Sequence, residues 1–199
     1  MRIIAGEFRG RHLIGPPTSI TRPITDRAKQ SLFDALAVAM ELRGAATLDC
    51  FAGAGSMGLE ALSRGAAHVV FVERDRGARK ALCANIDRLG VSTCCEVLAI
   101  DAYQFPARRR AGQTRRFRVA FIDPPYAHVE NPRRRVHLTA LIAAVARDML
   151  EPGGLIIFRH PAGVIPDDWP LGATILRRFQ YGSMGVAWLQ SEIGGKNQT

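Results

Sequence analysis

Apolar positions along this chain change their period several times, and the changes mark its elements. Residues 1–14, MRIIAGEFRGRHLI, predict two short strands with a turn at Arg9-Gly10. Pro16, Pro17 and Pro23 keep the next stretch extended as far as Ile24. Thr25 and Asp26 are good helix caps, and a helix is predicted from there to about Leu42. Its apolar stripe is Ala28, Leu32, Leu36 and Met40, widened by Phe33 and Ala37.

Short apolar runs then alternate with helical spacing. Strands are predicted over residues 46–51, 69–73, 95–100, 118–122 and 155–159. Helices are predicted over 57–64, closed by Gly65, over 76–89, closed by Gly90, and over 136–150, closed by Pro152-Gly153-Gly154. Such alternation predicts parallel βαβ units with helices on both sheet faces. The end differs, because residues 173–180 and 185–190 predict a strand pair around Gly182-Ser183 with no helix between them. The expected fold class is α/β and Rossmann-like: a mainly parallel sheet closed by an antiparallel C-terminal hairpin, with a small N-terminal β-hairpin and helix. Residues 1–24 form the expected extension, 25–193 the main domain and 194–199 a frayed tail.

A length of 199 residues allows one domain, or one with a modest appendage, and a real core. Hydrophobic content of 47% with 23% charged residues is ordinary for a globular protein. The charge balance is not, since 27 basic against 18 acidic side chains leave +9. Only Lys29, Lys80 and Lys196 are lysines. This excess points to a polyanionic partner, because the planar guanidinium can give phosphate two hydrogen bonds at once. An arginine-rich codon usage accounts for arginine over lysine, and less well for the excess of charge.

No apolar run approaches the roughly eighteen residues of a membrane span, and the N-terminus lacks a signal-peptide stretch. A cytoplasmic protein without membrane contact is expected. Cys50, Cys83, Cys94 and Cys95 contain no C-x-x-C pair and read as small buried hydrophobes in a reducing compartment. No metal site is expected.

Candidate chemistry begins at Gly53-Ala54-Gly55-Ser56-Met57-Gly58, a G-x-G-x-x-G between a predicted strand and helix. Glu73 ends the second strand, where a carboxylate can accept both ribose hydroxyls of a nucleoside. The loop alone fits a nicotinamide dinucleotide nearly as well as S-adenosylmethionine. Asp49 shifts the balance, because a carboxylate beside the loop repels a pyrophosphate and suits a sulfonium or ammonium. A loop-capping role is the alternative for Asp49, and a helix cap is the favoured role for Asp75. Phe51 in the loop, Arg74 beside Glu73, and Asp101 with Ala102 after the third strand complete the expected cofactor contacts.

The second signature is Asp123-Pro124-Pro125-Tyr126, directly after the fourth strand. An exocyclic base amine is a poor nucleophile because its lone pair is delocalised into the ring. A carboxylate and a backbone carbonyl can hold its two hydrogens and turn the lone pair towards a methyl donor, and two prolines aim that carbonyl in advance. Tyr126 offers a flat face to an extracted base. Guanine presents two adjacent donors that Asp123 can accept, which favours guanine over adenine.

These residues resemble the bacterial 16S rRNA (guanine(966)-N2)-methyltransferase family, among the amino methyltransferases with an N/D-P-P-Y/F motif. The likeness runs from about Arg2 to Gln190. It is most specific at Arg2-Ile3-Ile4-Ala5-Gly6, at Thr21-Arg22-Pro23-Ile24-Thr25-Asp26-Arg27, and from Leu48 through the glycine loop to Arg64. The resemblance implies methyl transfer from S-adenosylmethionine, leaving S-adenosylhomocysteine, to the 2-amino group of one guanine in 16S rRNA. The glycine loop and Glu73 would hold the cofactor and Asp123 to Tyr126 the base. A monomer acting on a small-subunit assembly particle is expected. The family often has an acid near the end of the fifth strand, where this chain reads Phe158-Arg159-His160, and residues 108–118 read as a variable loop.

For RNA contact, the predicted topology favours Arg2, Arg9, Arg11, Arg22 and Arg27 with Arg133, Arg134 and Arg135. The cluster Arg108, Arg109, Arg110, Arg115, Arg116 and Arg118 enters the fourth strand from the opposite edge and reads as well as a solvated loop. The rival functions are a DNA adenine-amine methyltransferase, a nicotinamide-dependent oxidoreductase and a non-catalytic RNA-binding module.

Overall fold

The computed structural model describes residues 1–16, 24–109, 115–164 and 172–191. They fall into two compact units, Met1–Ile100 and Asp101–Thr199.

In the first unit, β1 (Ala46–Cys50), β2 (His68–Val72) and β3 (Cys95–Leu98) pair in parallel with β2 in the middle. Asp49 is in register with Phe71, which in turn pairs with Val97. Three helices connect and flank these strands: α1 (Asp26–Ala39), α2 (Ser56–Ser63) and α3 (Arg76–Leu89). Thr25 caps α1 as predicted, its side chain accepting the Ala28 N–H at 3.2 Å. The helix stops at Ala39 rather than near Leu42, because Met40 is extended and the chain turns to bury Leu42 from outside the helix. Helix α3 closes at Gly90, whose φ of 69° is easy for glycine. Asp75 is its cap, accepting the Ala78 N–H at 2.7 Å.

The N-terminal residues form a single antiparallel bridge between Arg2 and His12 instead of two strands. Ile3 donates to the Arg11 carbonyl and Leu13 to the Met1 carbonyl at 2.9 and 3.0 Å, but the amides that follow Ile3 have other acceptors. Ile4 and Ala5 donate to the Glu60 carboxylate at 2.8 and 3.1 Å, and Glu7 donates to the Ser63 carbonyl at 2.8 Å. Gly6 is required here, since a Cβ would lie 1.8 Å from the Ser63 oxygen. Glu60 also forms a buried ion pair with Lys29 at 3.2 Å. Burial lowers the Lys29 ammonium pKa from its usual value, and Glu60 opposes that shift. Cys50 is buried as expected, Cys94 and Cys95 are only half-buried, and Cys83 is exposed. It lies off the α3 stripe of Ala78, Ala81, Leu82, Asn85 and Ile86 that faces the core.

In the second unit, β4 (Phe117–Ile122) pairs in parallel with β5 (Leu150–Pro161). Strand β5 pairs antiparallel with β7 (Met184–Gln190), and β7 antiparallel with β6 (Thr174–Tyr181). The closing hairpin turns at Gly182, as the sequence predicts. Helices α4 (Phe105–Arg108), α5 (Tyr126–Glu130) and α6 (Pro132–Asp148) complete the unit. Helix α6 begins four residues before its predicted start. Pro132 supplies a preset first turn, and Asn131 accepts the Arg133 N–H at 2.9 Å.

Pro152-Gly153-Gly154 do not close this helix. They lie inside β5, where the strand bulges against β4, so that Phe117 pairs with Leu150 but Val119 with Leu155. A Cβ at Gly154 would meet the Phe117 oxygen at 3.0 Å, so the close strand approach explains that glycine better than a turn does. Trp188, Phe121 and Phe158 are fully buried in this unit. Among the described residues no helix is long and apolar enough to cross a membrane.

Candidate active site

The loop leaving β1 is shaped by its backbone. Phe51 holds a left-handed conformation at φ 61°, which a bulky residue rarely adopts and which marks stored local strain. Gly55 caps α2 at φ 84°, and a Cβ there would lie 2.4 Å from Leu82 Cδ1. Gly53 differs, since a Cβ there would meet nothing within 4 Å, so this part of the loop borders open space.

Two carboxylates fasten the loop. Asp49, only 1% exposed, accepts the Gly58 N–H at 2.9 Å. Gly58 is the third residue of α2, where an amide lacks an intrahelical partner. Glu73 accepts the Gly53 N–H at 2.8 Å with one oxygen and the Asp75 N–H at 2.8 Å with the other. Asn85, buried on α3, donates to the carbonyls of Ala54 and Ile14 and ties the loop to the N-terminal segment. Arg74 is exposed, and its carbonyl accepts from Arg79. The structure thus brings Asp49, Phe51, Gly53, Gly55 and Glu73 into one neighbourhood of the first unit. Asp101 and Ala102 belong to the second, where the Asp101 carboxylate accepts the Tyr103 N–H at 3.1 Å and Ala102 is buried.

Asp123-Pro124-Pro125-Tyr126 leaves the end of β4 in the second unit. Pro124 is buried, the Pro125 carbonyl accepts the His128 N–H at 2.8 Å, and Tyr126 opens α5. Asp123 meets a residue to which sequence reasoning gave no role: Arg159 Nε stands 2.6 Å from its Oδ1. Burial pushes the Asp123 carboxyl above the usual carboxylate value, and the Arg159 charge pulls against that shift. A second unforeseen pair is Tyr103 Oη with His128 Nδ1 at 2.9 Å. Neither pair leaves a local sequence signal, because the partners meet only through tertiary structure. The departure at Phe158-Arg159-His160 is the only pointer to Arg159.

The arginines divide by what they touch. Arg9, Arg11, Arg27, Arg133 and Arg134 are exposed. Arg2 is paired with Asp26 at 2.7 Å, and Arg135 Nε donates to the Val129 carbonyl at 2.6 Å. Arg22 lies outside the described residues, as do Arg110 and the tail 194–199. In the other cluster, Arg116 donates to the Leu150 carbonyl at 2.9 Å, Arg118 pairs with Glu151 at 2.5 Å, and Arg109 lies over the Phe117 ring. Those three are committed within the protein. No group of three or more potential metal ligands occurs among the described residues.

Comparison with known proteins adds an independent line. The family described as Conserved hypothetical protein 95 matches residues 1–190. YlbH of Bacillus subtilis, provisionally named an rRNA methyltransferase, is 35% identical over 94% of this chain and 97% of its own length. Ribosomal RNA small subunit methyltransferase D of Haemophilus influenzae is 33% identical over 86% of each chain. Among solved structures, yhhF of Escherichia coli, provisionally named a methyltransferase, superposes with a TM-score of 0.77 at 31% identity. That likeness covers 96% of this chain and 98% of yhhF.

Proposed function

The chain belongs to the family described as Conserved hypothetical protein 95, and from that premise we propose that it moves a methyl group from S-adenosylmethionine to the 2-amino group of a guanine in small-subunit ribosomal RNA. The relatives' names supply the RNA class. The residues of the two units supply the chemistry.

The observation that carries this reading is the pair of carboxylates on the glycine loop. In a dinucleotide site the amides at the helix N-terminus point at pyrophosphate. Here the Gly58 amide is given to Asp49 and the Gly53 amide to Glu73. Two amides of the loop and first helical turn are taken by carboxylates, which bring negative charge to the loop. That arrangement fits a cationic nucleoside ligand and disfavours the nicotinamide alternative. The open space at Gly53 leaves the loop accessible.

Glu73 retains lone pairs beyond its two amide contacts for ribose hydroxyls. Asp49 acts through the loop it braces. When bound, S-adenosylmethionine supplies a methyl group already activated on a sulfonium. At the acceptor end, Asp123 and the Pro124 carbonyl accept the two amine hydrogens and so expose the nitrogen lone pair. Tyr126 stacks on the base. Once methylated, the nitrogen is acidic, and its surplus proton passes to Asp123, whose raised pKa makes it a better acceptor than an ordinary aspartate. We assign the substrate to a partly assembled particle and the enzyme to the cytoplasm as a monomer.

Calorimetry with S-adenosylhomocysteine and with NADH tests the cofactor. Binding of the first alone is expected. Binding of NADH alone overturns the methyltransferase reading.

A further inference from the structure

We infer that Arg159 is a positioning residue for methyl transfer, holding the Asp123 carboxylate in the orientation that receives the target amine. The inference rests on the reading of Asp123 as the group that holds the base.

Strand geometry makes the pair. In the parallel register of β4 and β5, Ile122 is opposite Phe158. One residue further lie Asp123, just past the end of β4, and Arg159, on β5, and their side chains meet. Arg159 Nε is 2.6 Å from Asp123 Oδ1, with side-chain exposures of 8% for Arg159 and 20% for Asp123. The Asp123 side chain is therefore the more open half of the pair, while the two atoms that meet, Oδ1 and Nε, are both buried.

The scaffold beneath Arg159 is rigid. It lies on β5, which is paired on one side with β4 and on the other with β7, where its own partner is Val186. The next residue, His160, is buried with Nδ1 2.8 Å from the Pro161 carbonyl. Gly185 makes room for it, since a Cβ there would be 2.2 Å from His160 Cε1. Residues on a paired central strand place a side chain more exactly than a loop does.

Arginine suits the task. Its charge persists at every working pH and favours the ionised form of the carboxylate beside it, and its planar fork is a rigid partner for that carboxylate. Arg159 meets Asp123 at Oδ1, and in the proposed role Oδ2 receives the base. An ion pair retained only for stability would be a weak device, because burying both charges offsets most of their attraction.

The test is single-turnover methyl transfer at saturating RNA and cofactor for the parent protein, R159A, R159K and D123A. Affinities for RNA and S-adenosylhomocysteine and thermal unfolding are measured alongside. R159A is expected to slow transfer by about 100-fold, the cost of a misaimed group, with both affinities within about twofold of the parent. R159K, which keeps charge without the fork, is expected to fall between. Should R159A fail to fold, R159K carries the same comparison with an expected loss of about tenfold. Parental rates in the variants, or slower transfer matched by equally weakened affinity, overturn the positioning role. If D123A turns over like the parent, the base-holding reading of Asp123 falls first. If D123A is inactive and R159A is not, only the positioning role of Arg159 falls.

Discussion

Glu73 accepts the amide hydrogen of Gly53 at 2.8 Å, so the carboxylate at the end of β2 fixes the turn that follows β1. The same side chain is half-buried and keeps acceptor capacity for a ligand. Glu73→Ala is expected to weaken S-adenosylhomocysteine binding by about 10- to 100-fold, the worth of hydrogen bonds to a charged group. Titration calorimetry checks this, and unchanged affinity removes Glu73 from the cofactor site.

Asp49 is predicted to behave differently. It is buried and holds the Gly58 amide, so Asp49→Ala leaves an orphaned donor and costs about 1–3 kcal/mol of folding stability. Cofactor affinity falls with it, because the loop loses its brace. Urea unfolding gives the stability term, and an unmoved midpoint contradicts the assigned role.

Gly58 itself packs α2 against β2. An alanine Cβ would stand 2.4 Å from Phe71 Cε1 and 2.8 Å from Val69 Cγ1. Gly58→Ala is expected to cost about 1–3 kcal/mol through overpacking, measured by the same unfolding experiment.

Arg133 and Arg134 are exposed in the first turn of α6, whereas Arg116 and Arg118 are held by Leu150 and Glu151. Replacing Arg133 and Arg134 by glutamine should weaken RNA binding and flatten its salt dependence. The slope of log affinity against log salt should fall by about one for each phosphate that is no longer neutralised. The same change at Arg116 and Arg118 should leave the slope in place. Equal slopes in the two double variants contradict the division between surface and committed arginines.

The thiols offer a pH-linked check. Burial raises the Cys50 pKa, and that of Cys95 is pushed up to about 12, so at pH 8 each holds less reactive thiolate than an ordinary cysteine. Cys83 is exposed. Iodoacetamide at that pH should label Cys83 in the folded protein and reach Cys50 and Cys95 only on unfolding or at much higher pH. Mass mapping of the adducts decides it.

Local signals in the sequence are reliable where local chemistry governs. Thr25 and Asp75 cap the helices they precede, and Gly90 ends α3 where a left-handed residue is needed. Asp49, Glu73 and Asp123 stand at the ends of their strands because alternation of apolar runs places strand ends well. The misreadings share a cause. Pro152-Gly153-Gly154 carries a turn signal, yet pairing with β4 draws it into a bulged strand. The N-terminal ribbon is reduced to one bridge because Glu60, more than fifty residues away, takes the amides of Ile4 and Ala5. Arg159 is legible only as a departure from a family pattern, since its pairing with Asp123 depends on the register between two strands distant in sequence.

Methyl transfer followed by nucleoside mass analysis tests the central claim most directly, with unmodified small ribosomal subunits, naked small-subunit rRNA and DNA as acceptors. N2-methylguanosine is predicted in ribosomal RNA and is abolished in Asp123→Ala, with no methylated base in DNA. Recovery of N6-methyladenosine alone, from RNA or from DNA, would contradict it.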